Sequence, residues 1–170
     1  MTKKFKIRCF LNTIKTSCSV CIIMNRLYLF LLFVFVSAPS IGQFWHTDYK
    51  EAQSIAKAEN KAILLVFQGS DWCAPCIKLD REVWSTQEFQ QYASSRWVML
   101  QADFPRRSKN VLDPKQAEAN AALAERYNKN GIFPFVVVLD KEGRVLGETS
   151  YQKIGPEGYI NLIESYTKQL

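Results

Sequence analysis

Ala62-Ile63-Leu64-Leu65-Val66-Phe67-Gln68-Gly69-Ser70-Asp71-Trp72-Cys73-Ala74-Pro75-Cys76 decides the reading of this 170-residue chain. Its first six residues are apolar without a break. That is too uniform for a surface strand and predicts a central one buried on both faces. Its last four residues put two cysteines one helical turn apart, directly after Trp72. The order predicts a strand running into a helix start with a redox-active pair at its head. Such a pair can close a disulfide across the turn and release it by exchange with another protein's thiols.

Outward from this stretch, strands and helices alternate. Residues 47–60 predict an amphipathic helix, with Asp48 and Glu51 at capping-box spacing and Tyr49, Ala52, Ile55 and Ala56 on one face. The helix after Cys73 carries Ile77, Leu79 and Val83 and is expected to reach Trp84. Ser85 and Glu88 offer a second capping box, for a short helix through Phe89 and Tyr92. Residues 96–103 predict the next strand, and a polar loop containing Pro105 follows over 104–113. Asp113 and Pro114 form an N-cap and first-turn pair. The helix they start carries Ala117, Ala121, Ala124 and Tyr127 and stops at Asn130-Gly131. Residues 135–139 predict a buried strand, Asp140 to Gly143 a turn, and 144–148 the hairpin partner. Gly155-Pro156 opens a last helix with Tyr159, Leu162, Ile163 and Tyr166 inward. The sum is an α/β fold, a three-layer α/β/α sandwich with a central mixed β-sheet, in one domain.

The chain before this domain predicts export. Residues 27–36 form a ten-residue apolar core after Arg26, followed by the small-residue exit Ser37-Ala38-Pro39-Ser40-Ile41-Gly42. This is the pattern of a secretory signal peptide over residues 1–42, with Gln43 as the mature start and Met24 as an alternative initiator. An uncleaved membrane anchor is the competing reading, and the core falls short of the roughly 20 apolar residues a span needs. Six of the 22 Lys and Arg precede Gln43, whereas all 16 Asp and Glu follow it. The remaining domain, 43–170, is electrically balanced, which removes the compositional case for nucleic-acid binding. Cys9, Cys18 and Cys21 leave with the leader, so Cys73 and Cys76 are the mature domain's only thiols. Arg106, Arg107 and Lys109 make a small basic cluster, read as a solvated loop or as a surface that steers a partner.

Trp72-Cys73-Ala74-Pro75-Cys76 resembles the thioredoxin signature, and residues 127–146 resemble that family's second half, with Pro134 at its cis-proline position. The resemblance extends over residues 47–169 and is similar in detail to secreted bacterial thioredoxin-like proteins. It implies a thioredoxin fold and a thiol–disulfide oxidoreductase without cofactor. Cys73 is then the solvent-facing nucleophile and Cys76 the deeper resolving thiol. Trp72, Pro75, Phe133 and Pro134 form the substrate surface, with the Phe133 backbone open to an extended segment. The family's buried acid falls at Val66 here, leaving Asp71 and Asp103 as candidate proton acceptors or as ordinary loop and strand-end residues.

An Ala-Pro pair between the cysteines, without histidine, resembles the reducing end of the family. The expected activity is therefore a disulfide reductase, monomeric, acting on disulfide-containing exported proteins in the periplasm or outside the cell, and re-reduced by a membrane electron donor. A disulfide oxidase or isomerase and a non-catalytic peptide-binding module are the alternatives. Metal binding is disfavoured because zinc wants four ligands and His46, the only histidine, lies far in sequence from the pair.

Overall fold

The computed structural model describes residues 45–168. The leader expected over residues 1–42 lies outside the described residues. Strand β1 (Trp45–His46) is followed by helix α1 (Tyr49–Glu59), strand β2 (Ala62–Gln68) and helix α2 (Ala74–Leu79). Helix α2 runs directly into a π-helical segment, Asp80–Trp84. Helix α3 (Gln87–Arg96), strand β3 (Trp97–Asp103), a 3₁₀ turn (Ser108–Asn110) and helix α4 (Pro114–Tyr127) come next. Strands β4 (Phe135–Leu139) and β5 (Val145–Ser150) and helix α5 (Gly155–Thr167) complete the domain. The strand order is β1-β3-β2-β4-β5. The β1–β3 and β2–β3 pairs are parallel; β2–β4 and β4–β5 are antiparallel, so the sheet is mixed as expected.

Period-two alternation along β2 feeds two cores, as its unbroken apolar run predicted. Ala62, Leu64 and Val66 face Leu79, Val83, Trp84, Phe89 and Tyr159 on one side of the sheet. Ile63, Leu65 and Phe67 face Ala52, Ala56, Leu123 and Tyr127 on the other. Fully burying each large apolar side chain contributes about 1.5–3 kcal/mol, which is why the central strand anchors the motif that follows it.

Several local expectations shift. Asp48 caps α1 as predicted, accepting the Glu51 N–H at 3.0 Å. The cap of α3 is Thr86, whose Oγ1 accepts from the Phe89 N–H at 3.4 Å, and not Ser85. The cause is the π segment, in which the Ser85 N–H reaches back five residues to the Asp80 carbonyl and spends one residue more than an α-turn. Helix α4 ends at Tyr127, before Asn130-Gly131, and buries Asn120, Leu123 and Tyr127. Ala117 and Ala121 are exposed. His46 is a strand residue with a side chain only 10% exposed and its Nδ1 3.7 Å from Glu51.

Candidate active site

Residues 69–73 turn sharply between β2 and α2. The Cys73 N–H donates to the Gly69 carbonyl at 2.9 Å, closing the turn. Gly69 is required by packing, since a Cβ there would run into the Trp72 indole. Cys73 is the N-cap of α2, with the Cys76 N–H directed at its Sγ at 3.3 Å. Cys73 and Cys76 are joined in a disulfide with Cα atoms 5.2 Å apart. Pro75 lies in the first turn of the helix, where a missing N–H costs nothing. Both cysteines are buried, Cys73 at 4% exposure and Cys76 at 3%. The expected solvent-facing Cys73 is therefore not exposed in the disulfide form, and the two sulfurs differ in helix position instead. Unpaired N–H groups at such a helix start favour a thiolate on the N-cap residue.

Phe133 and Pro134 come to this head from the other end of the domain. The Phe133–Pro134 peptide is cis. The Phe133 ring meets the Trp72 indole edge-on, centroids 5.5 Å apart, and Phe104 at 5.4 Å. Two clamps hold this segment. The Asn128 side chain takes both polar groups of the Ile132 backbone, its Oδ1 accepting from the N–H and its Nδ2 donating to the C=O, each at 2.9 Å. Ser150 Oγ donates to the Pro134 carbonyl at 2.6 Å. Among the described residues, no backbone hydrogen bond uses Phe133.

The polar loop after β3 is the third component, and it is tightly fastened. The Phe104 N–H donates to the Gln68 carbonyl at 2.9 Å, and Trp72 Nε1 donates to the Phe104 carbonyl at 2.7 Å. Asp71 accepts from the backbone N–H groups of Arg106 and Arg107 and from Asn110 Nδ2, all at 2.9 Å. The Arg106 N–H bond, helped by those from Arg107 and Asn110, holds the Asp71 carboxyl below the usual carboxylate range despite partial desolvation. The Arg106 guanidinium lies over the Trp72 ring, 3.6 Å from its centroid. Asp103 accepts from the Ser70 N–H at 2.8 Å and Oγ at 2.6 Å.

All six residues singled out from the sequence thus belong to one head: Trp72 and Cys73 on the β2–α2 turn, Pro75 and Cys76 in the first turn of α2, Phe133 and Pro134 before β4. Arg106, first read as part of a solvated cluster, is stacked on it. Phe104 and Asn128 were not anticipated. Asn128 carried one usable signal, an amide just ahead of a Gly-containing turn. Neither Asp71 nor Asp103 stands ready to take a proton from Cys76, because both oxygens of each already hold N–H or O–H donors. Val66 lies 1% exposed in the core beside Leu79.

A thioredoxin-like family profile matches residues 44–141. Disulfide bond reductase DsbH of Chlamydia pneumoniae is 34% identical over 121 residues, which is 71% of this chain and 71% of that protein. Thioredoxin-related protein DsbJ of the same organism is 31% identical over 100 residues, 59% of this chain but 28% of DsbJ. The solved structure of a DsbH oxidoreductase aligns with a TM-score of 0.70 at 31% identity, over 79% of this chain and 92% of that one. A thioredoxin from Thermus thermophilus, 19% identical, shares the fold at a TM-score of 0.55 over 74% of this chain and 88% of its own.

Proposed function

The chain belongs to the thioredoxin-like family of thiol–disulfide oxidoreductases, and we propose that within it this protein is a disulfide reductase of exported proteins. The observation that carries the reading is the Cys73–Cys76 disulfide at the head of α2, directly after Trp72, on whose indole the Phe133 ring of the Phe133-Pro134 pair packs. The 34% identity to a protein named as a disulfide bond reductase supports the direction. So does the absence of a histidine between the cysteines, which would add positive charge and stabilise the thiolate further.

In the forward reaction the reduced Cys73 thiolate attacks one sulfur of a substrate disulfide. The substrate's other sulfur leaves as a thiolate and takes up a proton. Cys76 then attacks Cys73 Sγ, forming the Cys73–Cys76 bond and releasing the second substrate thiol. Two electrons pass to the substrate, and a membrane-borne dithiol donor returns them to the pair. The open Phe133 backbone pairs with an extended substrate strand, while Trp72 and Pro75 contribute apolar contact next to the sulfur. Residues 1–42 direct the domain to the periplasm or the exterior, where substrate disulfides persist.

Redox titration of the protein against glutathione, with both cysteines followed by mass, tests the direction. The expected potential lies near thioredoxin's roughly −270 mV and far from the strong oxidant's roughly −120 mV. A value above about −150 mV on that scale would make the protein an oxidant and overturn the assignment.

A further inference from the structure

Resting on the oxidoreductase reading above, one step lacks a partner. Cys76 must lose a proton before it attacks Cys73, yet it is 3% exposed, and Val66, where the family's buried acid would fall, is apolar. A cavity of about 460 Å³ reaches Cys76 from the flank. Gln68 and Gln101 line it from the sheet, Ser70 from the turn after β2, Asp80 from the π segment and Ser85 from the residue just after it. Gln101 is the β3 register partner of Val66, and Gln68 follows Val66 by two residues. Both amides therefore project from the face that carries Val66. Gln68 Nε2 donates to Gln101 Oε1 at 3.5 Å. A polar space of this size holds water, and amides can orient it, but they cannot take its proton.

Among the lining residues, Asp80 alone besides Cys76 ionises. It lies one turn beyond Cys76, its N–H bonded to the Cys76 carbonyl. Ser85 Oγ donates to Asp80 Oδ2 at 3.2 Å, steadying the carboxylate. We propose that Asp80 accepts the Cys76 thiol proton through water held in this cavity by the Gln68–Gln101 amides. The resulting thiolate attacks Cys73 Sγ. The Cys73–substrate S–S bond breaks as the Cys73–Cys76 bond forms, and the departing substrate sulfur is protonated from Asp80 or solvent.

The other charged groups nearby are otherwise engaged. Asp71 holds the loop after β3, and Asp103 holds Ser70 in the turn between β2 and α2. Lys78 and Arg81 pair with Glu82. His46 follows the cavity-lining Trp45 in β1 and so faces the opposite side, toward Glu51.

The test mixes reduced full-length protein, with Cys9, Cys18 and Cys21 replaced by Ser so that Cys73 and Cys76 are its only thiols, with less than one equivalent of dithiobis(nitrobenzoate). The first thionitrobenzoate is released as Cys73 attacks, the second as Cys76 closes the disulfide. Asp80→Asn should slow the second release about tenfold or more at neutral pH, the lower end of general-base effects, and leave the first unchanged. Its second phase should climb with pH as hydroxide replaces the carboxylate. Added formate should restore the rate, and Asp80→Glu should keep most of it. Gln101→Leu, which dries the cavity without touching the helix, should slow the second phase alone. A second phase in both variants that matches the unaltered protein in rate and pH profile would overturn the assignment. So would equal slowing of both phases, the mark of a general disturbance. Absence of the first release from the unaltered protein would instead sink the oxidoreductase reading, and this inference with it.

Discussion

Asp140 and Asp71 fasten two turns with the same chemistry and opposite reach. Asp140 is 1% exposed. It accepts from the Glu142 N–H, the Arg144 N–H and Arg144 Nε at 2.6–2.9 Å, all within four residues of itself. Asp71 binds donors 35 to 39 residues away, on the loop that covers the redox head. The first clasp closes the β4–β5 hairpin and costs little loop entropy. The second forms only after β2 and β3 pair in the register that sets Gln68 against Asp103. One aspartate therefore serves the fold, and the other serves the surroundings of the disulfide.

The largest effect expected from breaking this comparison is on stability, at the buried clasp. Asp140→Ala removes the acceptor for three donors and should lower the unfolding free energy by roughly 3 kcal/mol, read by urea denaturation. A loss below about 1 kcal/mol would show that water replaces the carboxylate without penalty. Asp71→Ala should lower stability much less, because solvent screens its clasp. Its reduction of protein disulfides should fall several-fold, while its reaction with a small aromatic disulfide changes much less. Equal losses on both substrates would remove the loop from substrate choice. Arg106→Ala should cost about 0.5–1 kcal/mol, the worth of an exposed cation–π contact. It should also shift Trp72 emission, with Arg106→Lys falling between.

Acid sharpens the comparison last. At Asp140, burial raises the carboxyl pKa, but the Arg144 and Glu142 bonds outweigh it and hold the value below the ordinary range. Asp71 is lowered too, chiefly by the Arg106 N–H. A carboxylate with a depressed folded pKa stabilises fully above its unfolded value, about 3.9, and loses that contribution as pH falls through the folded one. The Arg106 and Arg107 amide proton shifts should therefore titrate below about pH 3.9. A midpoint above that value would contradict the clasp geometry.

The same contrast explains what was legible in the sequence. The Asp140 turn, the unbroken run of β2 and the cysteine pair are each specified by neighbours within a few positions, so pattern alone exposes them. The Asp71 clasp, the Phe104–Trp72 bond and the Arg106 stack depend on strand register, which no local window contains. Helix α4 starts at its Asp113 cap as its local pattern predicts, but its buried face was not legible, for a related reason. Asn120 is buried because its Nδ2 donates to the Asp103 carbonyl at 2.8 Å, and this tertiary bond turns the alanines outward. At α3 the error was one residue of phase, since nothing around Ser85 and Thr86 announces a π-turn.

That π-turn bears on how the chain tolerates insertion and deletion. Each residue advances an α-helix by about 100°, so the surplus residue in Asp80–Trp84 rotates everything after it relative to Cys76. Trp84 reaches its T-shaped stack on Phe89, with centroids 4.7 Å apart, only in that rotated setting. Deleting one residue between Asp80 and Val83 would restore α-helical winding and swing Trp84 out of the core, with the sulfurs untouched. The distance along the chain from the redox pair to this tryptophan is thus a fixed count, as binding on the fold as the spacing of the cysteines themselves.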